Sequence, residues 1–85
     1  MKVSVRRVEK ARPVEITTEY IKLESLLKLA DLTASGGEAK LMIQEGQVRV
    51  NGAVCTQRGK KLRPGDRVLY QGALVEITAP QANED

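Results

Sequence analysis

Turn signals at Gly46, Asn51-Gly52, Pro64-Gly65 and Gln71-Gly72 constrain this chain most, because they cut its second half into runs too short for helices. Gln47-Val48-Arg49-Val50 alternates apolar and polar residues, Asn51-Gly52 is a strong two-residue hairpin signal, and Ala53-Val54-Cys55 returns along a partner strand. Residues 62–66 read as a turn with Pro64 and Gly65 at its centre. A strand over 67–70, a Gln71-Gly72 turn and a strand over 73–78 follow. These residues are expected to form short antiparallel strands.

The first half changes period. Val14, Ile16, Thr18 and Tyr20 fall on one side at period two, as a half-buried strand over 13–20 would place them, and Val3 and Val5 suggest a weaker one. Leu23, Leu26, Leu27 and Ala30 then follow helical spacing, which predicts a short amphipathic helix with Lys22, Glu24 and Lys28 outside. After a connector at 31–34, Ser35-Gly36-Gly37-Glu38 forms a capping box that opens a second helix. Ala39, Met42 and Ile43 give its buried face, and Gly46 supplies the left-handed residue that stops it. The expected fold is α+β: two short helices forming a corner packed on a small, mainly antiparallel β-sheet. Residues 13–78 make the domain, 1–12 a basic N-terminal arm or edge strand, and 79–85 a flexible tail.

Composition narrows the chemistry. With 85 residues there is room for one small aliphatic core and no deep, desolvated pocket. The chain has no His and a single Cys, which argues against zinc and iron–sulfur sites, Ser-His-Asp and Cys-His catalysis and an internal disulfide, so no metal or cofactor is expected. Glu24, Glu38 and Glu45 are explained by solvation or capping, and Cys55 by packing as a small hydrophobe. No run is long and apolar enough to span a bilayer and the start does not resemble a secretory signal, so a cytoplasmic location is expected.

A net charge of +3 conceals two basic blocks, +4 over residues 1–12 and +5 over 46–67, separated by acidic stretches. Five basic residues, Arg58, Lys60, Lys61, Arg63 and Arg67, fall within the ten positions 58–67, which points to a polyanionic partner. Tyr20 and Tyr70 are the only aromatics, so a nucleic acid is expected to be held by backbone and shape rather than on a stacking platform. Gly59-Lys60-Lys61 lacks the upstream glycine and following hydroxyl of a phosphate loop. Gly36-Gly37 can expose backbone amides to a phosphate at the positive end of a helix.

The run from Lys22 to Lys28, the segment Ser35-Gly36-Gly37-Glu38-Ala39-Lys40 continuing through Gly46-Gln47-Val48-Arg49-Val50-Asn51-Gly52, and Leu62-Arg63-Pro64-Gly65-Asp66 together resemble the S4-type RNA-binding domain, the alpha-L motif. The resemblance covers about residues 20–70. It implies a corner of two helices whose loops grip structured RNA. Lys22 matches a basic residue opening the first helix and Lys40 one on the second, while Gly46, Asn51, Gly52, Pro64 and Gly65 match the turns. The family usually carries an arginine directly after the serine that opens the second helix, and Gly36 stands there instead.

The resemblance further implies a small stand-alone, non-enzymatic member that binds structured RNA of ribosomal or tRNA-like kind, and a monomer is expected. On this reading Lys40, Arg49, Arg58, Lys60, Lys61 and Arg63 neutralise phosphates, with Gly36 and Gly37 as a further anion site and Lys22 and Lys28 as second-tier candidates. The cations of the later half are expected to gather beside the start of the second helix. The alternative expectation is a protein-interaction module that docks on an acidic partner by strand addition along residues 67–78.

Overall fold

The computed structural model describes residues 11–80. Most of the expected arm and tail, and the weak strand about Val3 and Val5, lie outside the described residues. In chain order the elements are β1 (Arg12–Glu15), β2 (Ile21–Lys22), α1 (Leu23–Leu29), α2 (Gly36–Gln44), β3 (Val48–Val50), β4 (Ala53–Val54), β5 (Lys61–Leu62), β6 (Arg67–Tyr70) and β7 (Ala73–Thr78). Strands β4, β3, β6 and β7 are antiparallel, and β1 pairs in parallel with β7 to give the order β1-β7-β6-β3-β4. β2 and β5 form a separate antiparallel ribbon.

The two tight hairpins arise as their turn residues dictate. Asn51 (φ 52°) and Gly52 (φ 89°) both take the left-handed conformation, as do Gln71 (φ 51°) and Gly72 (φ 82°). Two successive positive φ angles give the turn whose twist matches that of the flanking strands. Alternation then aims Val48, Val50, Val68, Tyr70, Val75 and Ile77 into the core. On the other side of that core, α1 buries Leu23, Leu26 and Leu27 and α2 buries Ala39 and Ile43. Helices this short are held by packing rather than by propensity.

The Ser35 hydroxyl accepts from the Glu38 amide at 3.2 Å as expected, and the Glu38 carboxylate reaches back to the amide of Ala34, one residue before the N-cap, at 2.7 Å, a shifted form of the capping box. Both helices end in the same way. Gln47 N donates to Met42 O and Gly46 N to Ile43 O after α2, while Leu32 N donates to Leu27 O and Asp31 N to Lys28 O after α1. This paired pattern requires a left-handed residue just past the helix, which is Gly46 at φ 76° in one case and Asp31 at φ 61° in the other.

Several expectations are corrected. The strand expected over 13–20 stops at Glu15: after Ile16 donates to Thr78 O at 2.9 Å the chain bends, and the Thr18 hydroxyl donates to Tyr20 O at 2.8 Å. Thr18 is exposed rather than aligned with the buried Ile16. Leu62 is not a turn residue but a fully buried member of β5. Residues 67–78 do not offer a free edge, because β6 lies between β3 and β7, and β7 lies between β6 and β1. Arg12 donates through its guanidinium to the carbonyl of Ala30, the residue that ends α1, so this charge of the basic block serves a helix terminus.

Candidate nucleic-acid interface

The register of the ribbon decides which side chains share a face. Ile21 opposes Leu62 and Lys22 opposes Lys61. Leu62 is fully buried and Ile21 packs against the core, so Lys22 and Lys61 stand on the outward side. Carried one step further, the same register sets Tyr20 opposite Arg63. The Lys61 ammonium lies 4.8 Å from the Tyr20 ring centroid and the Arg63 guanidinium carbon 6.0 Å from it. One short ribbon thus presents three cations and an aromatic ring together. Like charges directly across a strand pair repel.

The ribbon continues into a basic loop. Lys22, at the N-cap of α1, makes no side-chain cap. The first turn is satisfied instead by carbonyls of the loop before β5: Leu23 N donates to Lys60 O at 2.9 Å and Glu24 N to Arg58 O at 3.1 Å. These bonds fix the loop backbone against the helix while the Arg58 and Lys60 side chains remain exposed. The later cations therefore gather beside the start of α1, not beside the start of α2 as expected. Glu19 and Glu24 are near in sequence, yet neither forms an ion pair with them. The one ion pair among the described residues joins Arg67 and Glu76 at 3.6 Å, on the five-stranded sheet.

From the ribbon a groove of about 560 Å³ runs along the outer stripe of α1, lined by Ile21, Glu24, Ser25, Lys28, Leu29 and Gly36. It links the ribbon to the first turn of α2. Gly36 and Gly37 are exposed there, and a Cβ on Gly36 would lie 3.9 Å from the Lys28 side chain. Lys40 is exposed one turn further along α2. Arg49 is separate. It lies between the buried Val48 and Val50, hence on the sheet face turned away from the helices, and donates to Gly52 O at 3.4 Å. The structure sets Lys22, Lys61 and Arg63 on one face of the ribbon, fixes the backbone of Arg58 and Lys60 beside the start of α1 with the Lys60 side chain against the β3–β4 hairpin, connects Gly36 to the ribbon through the groove, and sets Arg49 on another face.

A side-chain clamp holds the Arg63 end of the ribbon. The Asp66 carboxylate accepts from Arg63 N at 2.8 Å and from the Asn51 side-chain amide at 3.1 Å, while the Asn51 carbonyl accepts from Arg67 N at 2.9 Å. Turn chemistry alone accounts for Asn51 in the sequence; in the fold it also ties the β3–β4 hairpin to the Pro64-Gly65 turn. Tyr20 was missed as part of the site. Its alternation with Lys22 matches that of Lys61 with Arg63, but only the pairing of β2 with β5 reveals the shared face.

A corner of two short helices on a mixed, mainly antiparallel sheet defines an alpha-L class of fold. The profile of the S4 domain matches residues 14–78, and the chain belongs to that family. It is 47% identical over 62 residues to the "Probable ribosome maturation protein RlbA" of Bacillus subtilis, covering 73% of this chain and 87% of the relative. It is 42% identical over 60 residues to the "Putative RNA-binding protein YbcJ" of Escherichia coli, covering 71% and 86%. The solution structure of YbcJ, described as revealing an alphaL motif involved in RNA binding, superposes with a TM-score of 0.65 over 91% of this chain and 99% of that one. Identity across this wider superposition is 33%.

Proposed function

We propose that this protein is a non-catalytic binder of structured RNA, acting as a monomer in the cytoplasm on ribosomal RNA. The observation that carries the reading is the outward face of the ribbon, where Lys22, Lys61 and Arg63 stand together with no carboxylate partner among the described residues. A polyanion supplies the missing countercharge. Arg58 and Lys60 extend the positive surface onto the first turn of α1, and the groove to Gly36 gives a folded RNA a second line of contact. The similarity to RlbA and YbcJ supports RNA as the polyanion and the ribosome as its source.

Crosslinking in cells followed by sequencing of the attached RNA tests this reading. The expected result is a ribosomal RNA peak that disappears when Lys60→Glu and Lys61→Glu are combined. An RNA profile without ribosomal enrichment would contradict the assignment of the target. Crosslinking unchanged by the reversals would contradict the assignment of the surface.

A further inference from the structure

Tyr20 is out of place for a structural aromatic. Tyr70 is 4% exposed and belongs to the core, whereas the half-buried Tyr20 ring is neither in that core nor among the partly buried apolar residues packed against it. The cationic ends of Lys61 and Arg63 lie 4.8 and 6.0 Å from its ring centroid, and Lys22 shares the same side of the ribbon. An aromatic face among uncompensated cations has the elements required by a nucleotide: a π surface for the base and positive charges for the phosphates on either side of it.

We infer that Tyr20 is a stacking surface for an unpaired base, so that the site takes RNA with a bulged or looped-out nucleotide in preference to an uninterrupted duplex. This rests on the RNA-binding reading above and names the feature of the RNA that the site selects. A base locked in a duplex has both faces stacked on its neighbours and cannot reach the ring. The Lys61 ammonium lies over the ring. Binding exchanges its partners: the flexible lysine moves to a phosphate and the base takes its place on Tyr20. The sequence-based expectation of backbone and shape recognition is thereby extended by one stacking contact.

The test uses the full chain and two RNAs, a hairpin with a fully paired stem and the same hairpin with a single bulged adenosine. The protein is expected to bind the bulged RNA about tenfold more tightly. Tyr20→Leu is expected to remove that preference, bringing the two affinities to within about twofold of each other, with far-UV circular dichroism confirming the fold. Tyr20→Phe keeps the preference. Because the chain has no Trp and Tyr70 is buried, quenching of tyrosine emission by the bulged RNA reports on Tyr20, and Tyr20→Phe is expected to abolish it. Equal affinity of the unsubstituted protein for both RNAs, or a preference that survives Tyr20→Leu, overturns stacking while leaving phosphate binding intact. Failure to bind either RNA overturns both readings.

Discussion

On the outer face of the five-stranded sheet Arg67 lies 3.6 Å from Glu76 and Arg49 donates to the Gly52 carbonyl, whereas on the outward face of the β2–β5 ribbon Lys22, Lys61 and Arg63 have no acidic partner among the described residues. The larger sheet partners its arginines within the molecule. The smaller one sets two lysines directly across from each other, an arrangement that is destabilising compared with a neutral pair. A ribbon with only two strand residues on each side has little stability to spare, so unpaired charge there is best understood as charge kept available for an external anion.

The largest effect should come from reversing the ribbon. Lys22→Glu, Lys61→Glu and Arg63→Glu together remove three phosphate partners, and the slope of log affinity against log salt is expected to fall by about 2–3. Affinity for a ribosomal RNA fragment, measured by filter binding, should fall by at least ~100-fold, since each tenfold is about 1.4 kcal/mol. Next in size is the clamp. Asn51→Ala or Asp66→Ala removes hydrogen bonds between solvent-exposed groups and should destabilise the fold by about 0.5–1.5 kcal/mol in thermal unfolding. The salt slope of RNA binding by the folded protein should not change.

Smaller effects separate the two faces more finely. Lys22→Glu alone converts the opposed lysines into an opposite-charge pair, and it is expected to raise stability by a few tenths of a kcal/mol at low salt while weakening RNA binding. Stability and affinity moving together on this substitution would break the comparison. Smallest is the sheet face: Glu76→Gln releases an ion pair whose side chains are 56% and 36% exposed, and should cost under about 1 kcal/mol. Arg49→Gln should leave RNA affinity within about twofold, because it removes a cation from a surface outside the proposed interface.

What the sequence revealed depended on how local each determinant is. The capping box of α2, the Asn51-Gly52 and Gln71-Gly72 hairpins and the Pro64-Gly65 turn are each carried by residues close in the chain, and each stands where local pattern places it. The two helix stops show the limit of that reading. Gly46 announces a left-handed residue, while Asp31 adopts the same conformation after α1 without glycine to mark it. The ribbon was hidden for another reason. Residues 21–22 and 61–62 are too few to show a period, and their partnership spans most of the domain. With the ribbon went the buried role of Leu62, the grouping of Tyr20 with Lys61 and Arg63, and the position of the basic loop at α1. Arg12 was legible as charge but not as the group that caps the end of α1.

Amide chemical shifts of the isotopically labelled protein, followed while a structured ribosomal RNA fragment is added, test the central claim most directly. The account predicts that the largest changes fall at residues 20–24 and 58–63 and extend through Lys28 to Gly36, with Arg49, Arg67 and Glu76 nearly still. Largest changes along the outer face of the five-stranded sheet, with the ribbon unmoved, would contradict it.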